Sequence, residues 1–174
     1  VFLNRLYSPY GCGSVARETG EYHTFYSSDM KTDKELRQAV LASSAIAGLM
    51  EPYRVNINGI IKTMSDGGHR HVLPLPPEGA THIDAVCCFP IREKPRTYDQ
   101  INSIYESARW LIDMQMEANQ LADIEHLKHL AHDGAKVTVY APAQQVGGLL
   151  DADKETISNW MKLGKLALSN PIML

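Results

Sequence analysis

The chain has 174 residues, of which 44% are hydrophobic and 21% are charged, and its formal net charge is −3. This length suits one folded domain with a real core, so we predict a single domain over residues 1–174. Nucleic-acid binding through phosphates needs clustered Lys and Arg, and this charge balance argues against it. No apolar run approaches the length of a membrane span, and no signal peptide opens the chain.

Cysteine usage indicates the redox compartment. Cys12, Cys87 and Cys88 fit neither a disulfide framework nor a zinc-site spacing. Cys87 and Cys88 are adjacent, so on a strand they point to opposite faces, which suits small buried thiols. We therefore predict a reducing, cytoplasmic location, with secretion as an effector as the alternative.

The first elements are predicted from alternation and glycine content. Residues 1–7 favour a strand, residues 10–20 a Gly-rich loop and residues 21–27 a second strand. Ser14 lies in the predicted loop. It belongs to neither a phosphate-binding loop nor a nucleophile elbow, because an elbow needs glycines two residues on either side of the serine.

A capping box marks the start of the first helix. Thr32 is followed three residues later by Glu35, and apolar residues then recur at intervals of three and four. Ser43 and Ser44 stand on the later turns of this helix. We predict that they pack or cap, because neither lies in a G-x-S-x-G sequence and serine favours local backbone bonds.

A β-hairpin leads to the most informative turn of the chain. Residues 54–58 and 60–64 flank a glycine, and Asn-Gly is the strongest short hairpin signal. The second arm ends beside Asp66, Gly67 and Gly68, and the glycines permit positive φ or close approach by other groups. Ligands bind beyond the carboxyl ends of strands in open α/β sheets, so Asp66 is a candidate catalytic acid or base. On these residues alone an ordinary Asp-Gly turn is the better explanation.

The second half of the chain alternates strands and helices. The apolar run 82–89 predicts a parallel strand buried on both faces, and residues 97–132 carry the longest helical pattern. Residues 135–140 predict another strand, followed by a helix that is capped by Asp151 or Asp153. This alternation predicts an α/β fold with a mainly parallel sheet.

Two groups of histidines are candidate metal ligands. His69 and His71 could face one ion from an extended segment, but no third ligand is evident. His126, His129 and His132 lie three residues apart near a helix end, where such residues are common. We therefore predict no metal and no cofactor, and keep a metal site in an unrelated α/β protein as the least favoured alternative.

Several ordered sequence pieces resemble the C-terminal part of the patatin-like phospholipase family. In chain order they are A-S-S-A at 42–45, E-P at 51–52, the hairpin, D-G-G at 66–68, P-L at 74–75 and G-A-T-H-I-D-A-V at 79–86. In that family a helix with A-S-x-A-x-P leads through a turn and a hairpin to the D-G-G or D-G-A turn of the catalytic aspartate. The family usually has Pro where Ala47 stands and often Asn where Val72 stands.

The resemblance extends loosely over residues 2–142 and implies a fold and an activity. It implies a three-layer α/β fold with a mainly parallel central sheet and helices on both faces, of which this chain is the C-terminal portion. It implies a lipid acyl hydrolase of phospholipase A or esterase type that uses a Ser-Asp dyad. Asp66 would be the base, with Gly67 and Gly68 as its motif turn. The family's G-x-S-x-G serine and its oxyanion loop precede the aspartate, and neither occurs in this sequence.

These implications set the expected partners. We expect the nucleophile serine on an N-terminal companion segment or on another chain, and we expect this chain alone to be inactive. The implied substrate is a phospholipid or another acyl lipid at a membrane surface. An exposed sheet edge would also favour self-association. The alternative is a patatin-derived module that does not catalyse and serves binding or assembly, which the departures at Ala47 and Val72 favour.

Overall fold

A computed structural model of the chain describes residues 3–6, 8–57, 59–91, 103–144 and 153–174. Parts of some predicted elements lie outside the described residues. They are the ends of the first predicted strand, Asn58 of the hairpin, residues 97–102 of the long helix, and Asp151. The chain divides into two compact units, Val1–Leu75 and Pro76–Leu174, which are described separately below. The single-domain assignment stays a prediction.

The first unit is an antiparallel sheet with one helix. Its elements are β1 (Gly11–Ala16), β2 (Tyr22–Tyr26), α1 (Asp33–Ser43), β3 (Tyr53–Ile57) and β4 (Ile60–Asp66). The strand order is β2-β1-β4-β3, and every pairing is antiparallel. β1 and β4 are therefore the central strands of this sheet, and the predicted strand 21–27 and hairpin are confirmed.

Helix α1 covers one face of this sheet. It begins at the predicted capping box, in which the Thr32 hydroxyl accepts from the Glu35 N–H and the Glu35 carboxylate accepts from the Thr32 N–H. Ala42 of α1 is fully buried against Ala16 and Met64 of the central strands. The small side chain at Ala42 allows the helix to lie close to the sheet, as hydrophobic packing requires.

Two predictions at the start of the chain are wrong. The described part of residues 1–7 contains a short 3₁₀ helix, Leu3–Arg5, rather than a strand. The Gly-rich segment 10–20 contains strand β1 rather than a loop. Gly13 lies under the ring of Tyr22, and any Cβ there would collide with the Tyr22 side chain. Glycine in this strand makes room for a bulky neighbour, whereas the sequence pattern indicated a turn.

The second unit contains β5 (His82–Val86), α2 (Ile104–His132), β6 (Lys136–Tyr140), α3 (Lys154–Ser169) and β7 (Ile172–Met173). The strand order is β5-β6-β7, with β5 parallel to β6 and β7 antiparallel to it. A crossover through α2 joins the two parallel strands, as parallel pairing requires. The predicted order of elements is confirmed here, and Asp153 caps α3.

Burial of β5 was predicted incorrectly. Ala85 is buried, but Val86 is 65% exposed. Exposed and less exposed side chains alternate along β5, so only one face of this strand is covered. Cys87 is buried and Cys88 is exposed, so the expectation of two buried thiols is right only for Cys87. Burial raises the pKa of the Cys87 thiol to about 11.

The fold class agrees with the prediction at a coarse level. Helices and strands are mixed, but β5–β6 is the one parallel pairing among the strands that the structure describes. A three-layer, mainly parallel sheet is therefore not confirmed. Among the described residues, no helix combines the length and apolarity needed to cross a membrane.

Candidate active site

Asp66 ends strand β4 and starts a tight turn. Its Oδ1 accepts a hydrogen bond from the Gly68 N–H at 2.7 Å, which caps the 3₁₀ turn Gly67–His69. Its own N–H donates to the Ala45 carbonyl at 2.9 Å. β4 has antiparallel neighbours, so the rule about carboxyl ends of parallel strands does not place the site here. The position of Asp66 is set instead by these two hydrogen bonds, because one holds its backbone and the other holds its side chain.

The two glycines of this turn lie very close to neighbouring atoms, where a side chain would have little room. Neither Gly67 nor Gly68 has positive φ. A Cβ at Gly67 would lie 2.5 Å from the carbonyl oxygen of Gly13, and one at Gly68 would lie 3.0 Å from Oδ1 of Asp66. The sequence allowed either positive φ or close approach by other groups at these glycines, and the structure shows close approach. The turn is therefore packed directly on the backbone of β1.

A second contact joins this turn to the loop after α1. The Ala47 N–H donates to Nε2 of His69 at 3.1 Å, so the neutral His69 ring carries its proton on Nδ1. Together with the bond from Asp66 to Ala45, this contact brings the A-S-S-A piece and the D-G-G piece side by side. Proline has no N–H and cannot make the Ala47 bond. Ala47 therefore makes a hydrogen bond that a proline at this position could not make.

Ser14 lies opposite Asp66 in the sheet, and no sequence pattern predicted that these two residues would be neighbours. The two residues are direct partners across β1 and β4, so their side chains lie on the same face of the sheet. Ser14 is fully buried, and its hydroxyl has no hydrogen-bond partner among the described residues. In this conformation a substrate carbonyl cannot reach that hydroxyl. No spacing signal could have shown this pair, because strand register between distant segments is not written in local sequence.

Ser65 offers a matched case on the other face. It is 4% exposed, it precedes Asp66, and its hydroxyl also lacks a partner among the described residues. Its β1 partner is Val15, next to Ser14. The sheet centre therefore holds two buried hydroxyls, each with the desolvation cost of an unsatisfied polar group.

Removing either hydroxyl should stabilise the chain. We expect Ser14→Ala and Ser65→Ala each to raise the free energy of unfolding by about 1 kcal/mol, since an unpartnered buried hydroxyl is lost. Urea unfolding of the two variants beside the unchanged chain measures this. A loss of stability in either variant would mean that its hydroxyl has a partner in solution.

The remaining candidate residues do not assemble into a site. His69 contacts Ala47, and the ring of His71 lies edge-on to Tyr22 with centroids 4.7 Å apart. Within the described ranges there is no group of three or more His, Cys, Asp or Glu that could hold a metal ion. Burial raises the pKa of the Cys12 thiol, which makes it a poor nucleophile at neutral pH.

Comparison with known proteins adds no assignment. The sequence matches no protein-family model, and a search of curated proteins finds no significant match.

Proposed function

We propose that this chain supplies the base of a Ser-Asp lipid acyl hydrolase, with Asp66 as that base. The observation that carries the proposal is the convergence around Asp66 of two motif pieces that are separate in the sequence. Ala45 accepts from the Asp66 N–H, and Ala47 donates to His69 of the same turn. These are the pieces on which the resemblance to patatin-like phospholipases rests. The nucleophile serine would come from a segment outside this sequence or from another chain.

The held carboxylate suits a general base. Oδ1 of Asp66 is occupied by the Gly68 N–H, which leaves Oδ2 to accept the proton of a serine hydroxyl. The serine oxygen then bonds to the ester carbonyl carbon, and the alcohol leaves with a proton from Asp66. In the second half, water bonds to the acyl carbon while the same carboxylate takes a proton from it. The bond between that carbon and the serine oxygen then breaks, the carboxylic acid leaves, and the serine oxygen takes the proton from Asp66. Donors for the oxyanion would come from the segment that carries the serine.

The proposal includes an architecture for the whole catalytic domain. We place the elements of this chain in a three-layer α/β domain with a mainly parallel central sheet. The parallel pair β5–β6 with its α2 crossover supports this arrangement. The outer edge of β5 is unpaired among the described strands, so it offers one place where a further strand could add.

Reconstitution tests the proposal. We expect no turnover of a lipid ester by this chain alone, because no serine in the described residues is both exposed to substrate and paired with Asp66. With a companion segment that contains G-x-S-x-G, we expect turnover and labelling of that segment's serine by a fluorophosphonate probe. Intact-mass measurement locates the label. Turnover by this chain alone would show that its own residues suffice and would defeat the proposal.

A non-catalytic binding or assembly module is the second candidate. The bond from the Ala47 N–H to His69 favours it, because the loop beside Asp66 is held by a contact that the family's usual proline cannot make. The same experiment separates the two functions. If the chain and a G-x-S-x-G companion form a stable complex that neither turns over ester nor reacts with the probe, the module is the correct assignment.

A further inference from the structure

Helix α3 has one side that is less exposed than the rest, and two of the four residues on that side are polar. The least exposed positions of this helix recur on one side, and they are Thr156, Asn159, Leu163 and Ala167. Several apolar residues of α3 are exposed instead, among them Met161 and Leu168, whereas a surface helix usually buries its apolar residues.

The outward side carries an apolar stripe. Ile157, Met161 and Leu168 are 43%, 62% and 63% exposed, and Gly164 lies between the last two. These residues follow at intervals of four, three and four, so they line one face of the helix. We name Ile157, Met161, Gly164 and Leu168 the α3 stripe.

Lysines border the α3 stripe. Lys154 is three residues before Ile157, and Lys165 is four after Met161, so each lies beside a stripe residue. The helix contains three lysines and one glutamate, although the whole chain has a net charge of −3. All three lysines are exposed, and the ion pairs of the described residues include none of them. The stripe and its border therefore combine an apolar and a positively charged surface.

We propose that the α3 stripe docks on an anionic lipid surface. An amphipathic helix of this composition lies in the interface plane, with its apolar face in the headgroup–acyl boundary and its lysines near the phosphates. A second copy of α3 is the less suitable occupant, because pairing of two stripes would bring the lysine borders of both helices together. The choice of a lipid surface rests on the proposed function, whose substrate is an acyl lipid.

Vesicle co-sedimentation tests the proposal with the full chain. The probes are vesicles of pure phosphatidylcholine and vesicles in which about a third of the lipid is phosphatidylglycerol. We expect binding to the anionic vesicles, much weaker binding to the neutral ones, and a decrease in binding as salt is raised. Equal binding to both kinds of vesicle, or no binding to either, would overturn the proposal.

Matched variants locate the docking surface. Met161→Gln and Leu166→Gln remove apolar side chains of similar exposure, 62% and 59%, but Leu166 is neither three nor four residues from any stripe residue. We expect the Met161 variant to bind anionic vesicles about fivefold or more weakly, and the Leu166 variant to bind as the unchanged chain does. Equal loss in both variants would contradict the assignment of the stripe.

The lysine border has its own control. We expect the double variant Lys154→Gln, Lys165→Gln to lose about 25-fold in affinity for anionic vesicles, because each lysine near the surface contributes about fivefold. The double variant Lys34→Gln, Lys128→Gln removes the same charge from other exposed positions and should bind normally. If Met161→Gln instead converts an oligomer to a monomer in light scattering while the unchanged chain ignores vesicles, the stripe is a self-association surface and the proposal fails.

These experiments distinguish failure of the docking proposal from failure of the proposed function. Vesicle binding needs no turnover, so Asp66→Asn should bind anionic vesicles as the unchanged chain does. Loss of vesicle binding with retained ester hydrolysis would overturn the docking surface alone. Retained vesicle binding by an assembly with the G-x-S-x-G companion that never hydrolyses ester would overturn the proposed function alone.

Discussion

Asp66→Asn will reduce ester hydrolysis by the serine-bearing assembly by about three orders of magnitude, since a general base contributes about 10²–10⁴-fold. The amide oxygen of Asn can still accept from the Gly68 N–H, so the turn keeps its cap. The amide cannot take a proton from serine. We therefore expect kcat to fall by about three orders of magnitude. The free energy of unfolding should change by less than about 1 kcal/mol. Steady-state kinetics and urea unfolding of one preparation measure both quantities.

Two further variants make this result specific. Asp66→Ala removes the base and also the cap on Gly68, so it should lose activity and about 1 kcal/mol of stability. Asp84→Asn changes a carboxylate on β5 and should leave kcat unchanged. If Asp66→Asn retained a tenth or more of the activity, Asp66 would not be the base.

Gly67→Ala will destabilise the first unit by about 2–3 kcal/mol, the usual cost of forcing an extra methyl into a packed site. The new Cβ would lie 2.5 Å from the Gly13 carbonyl oxygen and 2.7 Å from its carbon. Both atoms belong to the backbone of a central strand, so they cannot turn aside as a flexible side chain would. Urea unfolding of the full chain measures the loss.

Gly164→Ala is the matched control for this substitution. Nothing lies within 4 Å of a Cβ at Gly164, which is inside helix α3. Alanine is the better helix former, so this variant should be up to about 1 kcal/mol more stable than the unchanged chain. A Gly67→Ala variant as stable as the unchanged chain would show that the turn does not lie against Gly13 in solution.

Local signals in the sequence predicted the capped helices and the hairpin correctly. The capping box at Thr32 and Glu35 formed as expected, because its hydrogen bonds join residues three apart. Asp153 capped α3 for the same reason. The hairpin arms β3 and β4 followed from their Asn-Gly turn, and they delivered Asp66 to the end of a strand.

Interactions between distant segments were not predictable. A glycine beneath a tyrosine ring, such as Gly13 under Tyr22, has the same one-letter signature as a turn glycine. The pairing of Ser14 with Asp66 depends on the register of β1 against β4, which no local pattern encodes. The exposure of Val86 depends on which faces of β5 the rest of the fold covers. Each of these facts is a property of the assembled sheet.

The order in which the strands pair has a kinetic consequence. β1 pairs with β2 and β3 with β4 through short connections, whereas β1 meets β4 across all of the intervening chain. Short hairpins close in microseconds, and long-range pairing is slower because a large loop must close first. Ser14 and Asp66 are partners in the β1–β4 pairing, so they come together in this slower step. We therefore expect hydrogen–deuterium exchange during refolding to protect the β1–β4 pairing, and with it the position of Asp66, after the two hairpins.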